Sequence, residues 1–337
     1  MPDAPRSAEP FRTGDATLMD GYVPVVDLGL DAPPDPLRRA SVARAVGKAC
    51  ESSGFLVVVG HSVSAGTVSA LYRSSRTFFG QERERKARVE RDPTDPLQRG
   101  YGGYSRLEMY SATRFGERAL DRDGAPPDPA LLFPNRWPAI PGFRESYLAY
   151  HTEVERLALD IMRLFALALA LPEDWFDDKF ARHMTPLMVN YYPAQTATPP
   201  GTFRNEPHTD FGAVTVLYQD EAPGGLQVRD PSGGWLDVPP IEGSFVVNLG
   251  ELMTRWTNDR WASTVHRVVN PPRDQSHRDR ISIAFFYQPD PQAVITAIPS
   301  CVGPDDPPRH PEITSGEYFL AKSRRAYVER VMGRRHT

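Results

Sequence analysis

A chain of 337 residues with 39 Lys and Arg against 43 Asp and Glu carries a formal charge of -4, too mild a balance to offer a nucleic-acid surface. Its two cysteines, Cys50 and Cys301, lie far apart and build neither a disulfide framework nor a thiolate zinc site, which fits a reducing cytosol. The longest apolar run, residues 164–171, falls well short of the roughly 20 residues of a membrane span, and residues 1–21 hold no apolar signal core, so a soluble cytoplasmic protein is expected.

Residues 1–20 read as a loose N-terminal arm, and residues 21–185 as a helix-rich region packing on a core. The run 22–28 carries Pro24 among β-branched residues and predicts an edge or first strand. In 36–52, Val42, Ala45, Val46 and Ala49 recur at helical spacing. A buried strand is expected at 55–59, a second helix at 65–79 and a charged stretch at 82–91. Residues 92–140, rich in Gly, Pro and Asp, read as surface loops, Gly100-Tyr-Gly-Gly-Tyr104 among them. The stripe Tyr147, Tyr150, Val154, Leu157, Ile161, Leu164, Phe165 and Ala168 predicts one long helix over 142–170, stopped by Pro172.

From residue 187 short β-rich runs alternate with turn residues: 187–192, 213–219, 225–229, 235–238, 244–249, 264–269, 281–287 and 293–297. The class is mainly β with flanking helices: a double-sheet jelly-roll or barrel core over 186–313, behind an N-terminal α/β region. A closing helix over 315–331, within a C-terminal segment 314–337, carries a basic end that reads as solvated.

His208 and Asp210 stand two apart in Glu206-Pro-His-Thr-Asp-Phe-Gly212, so in an extended segment both point to one side. His266, in strand-like Thr264-Val-His-Arg-Val-Val269, can complete the set from another strand. Two imidazoles and one carboxylate are the ligand set of a non-haem ferrous oxygenase, occupying one face of the metal. Each histidine alone is more often a hydrogen-bonded structural residue, and His-x-Asp alone occurs often by chance; the company of the distal His and of Arg-x-Ser is what points to a metal. Fourteen residues beyond His266 come Arg280 and Ser282, again two apart on one strand face. A charged Arg there is costly unless paired, and its planar fork with a hydroxyl beside it suits a small molecule bearing a carboxylate.

Further motifs accompany these: Val23-Pro-Val-Val-Asp27, Ser53-Gly-Phe-Leu56 with Gly60-His61, Asn135-Arg-Trp-Pro138, Asn190-Tyr-Tyr-Pro193, Gly224-Gly-Leu-Gln-Val228, Trp235, and Val247-Asn-Leu-Gly250 leading to Thr257-Asn258. From about residue 22 to 330 the chain resembles the isopenicillin N synthase-like family of Fe(II)/2-oxoglutarate-dependent dioxygenases. The resemblance implies a double-stranded β-helix (cupin-like) core with Fe(II) held by His208, Asp210 and His266. It implies 2-oxoglutarate bound by Arg280 and Ser282 with Tyr192 and Asn190 assisting, dioxygen as the second co-substrate, and ascorbate as a supporting reductant. The expected product is a hydroxylated, desaturated or cyclised small molecule of secondary metabolism, made by a monomer or weak homo-oligomer. Glu251 departs from the Asp that many relatives carry. His61, at a tight turn, reads as structural.

Candidate substrate contacts are Phe211, Tyr104, Tyr110, Arg204 and Tyr287, with Tyr101, Arg106 and Asn205 near them. Phe211, Leu217, Phe285 and Phe286 are expected to shield the metal. Three rivals stay open: a ferrous oxidase of the same family that needs no 2-oxoglutarate, a β-helix binding protein without turnover, and a zinc hydrolase, for which no glutamate is placed as base.

Overall fold

The computed structural model describes residues 16–104, 106–114, 133–222 and 225–333, so most of the N-terminal arm, Gly224 and the last arginines lie outside the described residues. The first elements are β1 (Thr17–Met19), β2 (Val25–Asp27), α1 (Pro36–Ser52), β3 (Phe55–Val59) and α2 (Ala65–Phe79). Asp35 caps α1 by accepting from the Leu37 amide, with Pro36 at the first helical position, and Ser64 caps α2 through the Gly66 amide. A hairpin follows, β4 (Gly100–Tyr104) and β5 (Leu107–Thr113), then α3 (Phe143–Ala168).

The remaining strands are β6 (Pro186–Tyr192), β7 (Phe203–His208), β8 (Val214–Gln219), β9 (Leu226–Arg229), β10 (Trp235–Asp237), β11 (Phe245–Leu249), β12 (His266–Val269), β13 (Arg280–Tyr287), β14 (Val294–Ile295) and β15 (Ile313–Thr314). A short helix α4 (Glu251–Trp256) and a closing helix α5 (Ser315–Gly333) complete the chain. Nine strands form one sheet in the order β1-β2-β3-β11-β8-β13-β6-β5-β4, and a second sheet runs β10-β9-β12-β7. No described helix is long and apolar enough to cross a membrane.

The large sheet is buried on both faces, and its side chains alternate strictly. Leu187 and Val189 of β6, Val214 and Val216 of β8, Phe245, Val247 and Leu249 of β11, and Ile281, Ile283, Phe285 and Tyr287 of β13 join the core under α1, α2 and α3. The opposite face turns toward the small sheet, where Tyr192, Leu226, Val228, Val246 and Val268 form a second apolar cluster. The β-core is therefore a closed sandwich with one wall backed by helices.

Two sequence expectations change. Gly100–Tyr104 and Leu107–Thr113 are paired strands on the sheet edge rather than surface loops, because Tyr110 and Ala112 alternate into the helix-side core while Leu107 joins the inner cluster. The N-terminal region also does more than pack on the core: β1 to β3 extend one edge of the large sheet and β4 and β5 the other, so the boundary at 185/186 falls inside one continuous sheet.

Candidate active site

Strand β7 ends on His208 and β12 begins on His266, its direct cross-strand partner. Register alone thus brings the two imidazoles together, their ring centres 4.3 Å apart. Asp210 enters from the loop after β7, with Oδ1 3.8 Å from Nε2 of both His208 and His266. Candidate ligand atoms of all three lie within 4.8 Å of one another. His208 closes β7, and Asp210 stands two residues beyond it in the loop. Strand β7 shifts register against β12 just before His208.

Each ligand is oriented by a second bond. Nδ1 of His208 lies 2.7 Å from the Glu206 carbonyl and Nδ1 of His266 3.2 Å from the Thr264 carbonyl. In each ring Nδ1–H donates to the carbonyl two residues upstream, leaving the Nε2 lone pair for a metal. Asp210 Oδ2 accepts from Thr215 Oγ1 at 2.6 Å and Asn248 Nδ2 at 2.8 Å, so Oδ1 is the oxygen presented to the histidines. The backbone holds the loop as well: the Glu251 amide donates to the Asp210 carbonyl at 2.8 Å. Gly250 makes this approach possible, since a Cβ there would stand 2.0 Å from the Gly212 carbonyl oxygen.

Burial opposes charge on Asp210, yet the imidazoles of His266 and His208 and the Thr215 and Asn248 bonds hold its carboxyl below the ordinary range. Burial takes His266 down to about 4, against the pull of Asp210, so that ring is neutral near pH 7. The His208 side chain is 35 % exposed, which leaves the centre open on that side. Oriented imidazole nitrogens beside one free carboxylate oxygen, with an open side, fit ferrous iron.

A second polar patch lies on the same inner face. Arg280 pairs across strands with Tyr192, and Ser282 with Asn190. Arg280 is 1 % exposed, donates from Nη2 to Gln219 Oε1 at 2.7 Å and lies over the Tyr192 ring at 5.0 Å. Its Nε and Nη1 have no partner among the described residues. A buried guanidinium with open donors beside a hydroxyl has the chemistry to receive a carboxylate.

Other expected contacts lie elsewhere. Tyr110 and Tyr287 are buried on the helix side of the sheet: Tyr110 sits edge-on to Phe143 and Tyr147, and Tyr287 stacks on Phe180 at 4.2 Å. Phe285 also faces the helices, against His151 at 4.9 Å, so of the expected shields only Leu217 and Phe286 alternate inward. Phe211 packs beside Leu97, Met184 and Phe319 under α5. The side chain of Tyr104 lies outside the described residues. Tyr101 is tied to Glu108 at 2.7 Å, and Arg106 donates to the Phe203 carbonyl at 3.3 Å, pinning the hairpin tip to β7. His61 bonds the Gly243 carbonyl at 2.9 Å, a structural role. A cleft of about 720 Å³ lined by Tyr72, Arg76, Tyr191, Tyr218, Asp220 and Asp279 opens on the helix side, away from the metal ligands.

Thr215, Gln219, Asn248 and Glu251 were given no role from the sequence. The available signal was the lone polar residue in an apolar strand, as Asn248 is in Phe-Val-Val-Asn-Leu. Glu251 accepts from Thr209 Oγ1 at 2.7 Å, is paired with Lys322 at 2.5 Å and bonds the Tyr318 hydroxyl, so it fastens α5 to the metal loop.

Comparison with known proteins agrees with this geometry. Residues 185–289 match the 2OG-Fe(II) oxygenase superfamily, and residues 23–140 the N-terminal region described as non-haem dioxygenase in morphine synthesis. The chain is 32% identical to the 2-oxoglutarate-Fe(II) type oxidoreductase hxnY of Emericella nidulans, over 90% of each chain. It is equally 32% identical to validamycin A dioxygenase of Streptomyces hygroscopicus subsp. limoneus, over 90% of this chain and 87% of that one. A full-length Neurospora crassa protein, solved in complex with alpha-KG, superposes with a TM-score of 0.82 at 29% identity, covering 94% of this chain and 100% of that one. On its fold, its ligand set and these relatives, the chain belongs to the 2-oxoglutarate-Fe(II) oxygenase superfamily and is an iron- and 2-oxoglutarate-dependent dioxygenase.

Proposed function

We propose that His208, Asp210 and His266 hold a single ferrous ion, and that Arg280, Ser282, Tyr192 and Asn190 seat the distal carboxylate of 2-oxoglutarate. Iron with 2-oxoglutarate and dioxygen supplies the oxidising power, releasing succinate and carbon dioxide as a substrate C–H bond is hydroxylated, desaturated or cyclised. The protein's own contribution is positioning. Nδ1 of each histidine is fixed by a carbonyl, Asp210 is fixed by Thr215 and Asn248, and Val228, Val268 and Leu217 keep the interior between metal and Arg280 apolar.

The observation that carries this reading is Arg280: a buried cation with two open donors, on the inner face that also holds the Asp210 supports. The substrate is a small molecule of secondary metabolism, met at the tip of the β4–β5 hairpin where Arg106 reaches β7. The named relatives point to polar ring compounds, since one is a validamycin A dioxygenase and the Neurospora crassa protein is also described in complex with thymine.

Anaerobic addition of ferrous iron and then 2-oxoglutarate to the apo-protein should raise the visible charge-transfer band of the chelate. With a turning-over substrate, one succinate should form per product. Substrate oxidation that proceeds equally without 2-oxoglutarate would replace this reading with the oxidase of the same family.

A further inference from the structure

Arg204, on β7, is 2 % exposed and, like Arg280, lies over the Tyr192 ring, its guanidinium carbon at 5.7 Å. Its Nη2 donates to the Pro193 carbonyl at 2.7 Å, while Nε and Nη1 have no partner among the described residues. Two buried guanidiniums therefore share one aromatic ring, each bonded to a neutral oxygen only, Gln219 Oε1 for one and Pro193 O for the other. Burial and the neighbouring Arg280 both push the Arg204 pKa down. Asp220, whose charge Arg280 favours, is engaged elsewhere, accepting from the Ile281 and Ala222 amides and the Tyr72 hydroxyl. Uncompensated buried cations cost several kcal/mol each, so the arrangement calls for an anion between or beside them.

We propose that Arg204 is a second anchor of the 2-oxoglutarate site, its guanidinium and that of Arg280 closing on the same distal carboxylate beside Tyr192. The assignment rests on the co-substrate reading above and explains why Arg204 sits where it does. It stands four residues before His208 on β7, and Gln219, which holds Arg280, stands four residues after Thr215, which holds Asp210, on β8. Four strand residues span roughly 13 Å, which the arginine side chains and a five-carbon keto acid bridge together. Arg204 thus reaches the distal end of the co-substrate rather than the open side of the metal, where substrate arrives. A pocket with two cations should reject keto acids that lack the second carboxylate, because both forks would then stay buried and unmatched.

The test is calorimetric titration of the Fe(II)-loaded protein under argon with 2-oxoglutarate and with 2-oxopentanoate, which lacks the distal carboxylate. Arg204→Gln should lose about tenfold or more of the wild-type preference for the dicarboxylate, the low end for a bond to a charged group. If the glutamine variant does not fold, Arg204→Lys keeps the charge without the fork, and a loss of about threefold or more is expected. Unchanged preference in the folded variant overturns the assignment, whether affinity for both acids falls equally or only substrate binding suffers. Wild-type protein that binds neither keto acid would sink the co-substrate reading and this one together, whereas wild-type binding with an unaltered variant sinks this one alone.

Discussion

Replacing Thr215 by valine removes one hydrogen bond and almost no volume, which isolates what orients Asp210. The Thr215 hydroxyl donates to Asp210 Oδ2 at 2.6 Å, and the residues are 4 % and 6 % exposed, so water has little room to substitute. A hydrogen bond to a charged group is worth about 1.5–3 kcal/mol. Some of that is retained, because Asn248 still donates to the same oxygen at 2.8 Å. What is lost is the second of two restraints that turn Oδ1 toward His208 and His266, and such outer partners are typically worth about 10–100-fold in metal affinity. Mn(II) titrated into the apo-protein and followed by its free-ion EPR signal, with Fe(II) in competition, measures the change directly. Asn248→Leu should behave alike, and the double variant should be non-additive because both bonds converge on one atom. A Thr215→Val dissociation constant within about twofold of wild type would mean that the Glu251 amide bond to the Asp210 carbonyl positions the ligand by itself.

Three other outcomes follow from the packing. Burial pushes the His151 pKa below 6.5, and although burial opposes its charge, Glu155 is held far below 4.5 by His151, His183 and Arg114. Both folded pKa values are depressed, so their stabilisation is present above the unfolded values and is lost as pH falls. Thermal unfolding midpoints should decline from pH 6.5 downward through His151 and steepen below 4.5 through Glu155, with His151→Phe flattening the first part; a midpoint constant down to about pH 5 removes the argument. Glu251→Gln cuts the pair with Lys322, which is 32 % exposed, and should cost about 1 kcal/mol, read as faster amide exchange in α5 and the loop after β7. On β13, Ile283→Ala should cost about 2–5 kcal/mol of stability and leave 2-oxoglutarate affinity alone, while neighbouring Ser282→Ala should do the reverse; matching effects from the two would break the inner and outer assignment of the strand.

What could be read from the chain was whatever lies close in sequence. His208 with Asp210, Arg280 with Ser282, and α1 to α3 show themselves by spacings of two and of three to four. Strand β7, Phe-Arg-Asn-Glu-Pro-His, shows no apolar alternation, because much of it is exposed and it is held by its register with β12. The β4–β5 hairpin was hidden by its three glycines, one of which, Gly103, has φ 141°. Tyr110, Phe285 and Tyr287 were misplaced for a different reason. Period-two patterning separates a strand's two faces, but where both are buried it does not say which one looks inward.

That ambiguity is resolved by the polar residues, and they carry more than phase. On a sheet buried on both sides an uncharged but polar side chain is costly unless matched, so each exception marks a partner across the interior. Apart from Ser111 and Thr113 on β5, the inward exceptions named above lie on four adjacent strands, β11-β8-β13-β6, and are register neighbours: Asn248 with Thr215, Gln219 with Ser282, Ser282 with Asn190, Arg280 with Tyr192. They form two patches, one holding Asp210 and one surrounding Arg280, separated on β8 by Leu217. A ligand lying along this face meets the His208, Asp210 and His266 set at one end, Arg280 at the other and the aliphatic Leu217 between. A 2-keto dicarboxylate with two methylenes has that same order of chemistry along its length, its keto-acid end toward the His208, Asp210 and His266 set and its distal carboxylate toward the open donors of Arg280. The spacing of polar exceptions on the sheet thus fits the co-substrate along its whole length, with Arg280 as the residue that receives its far end.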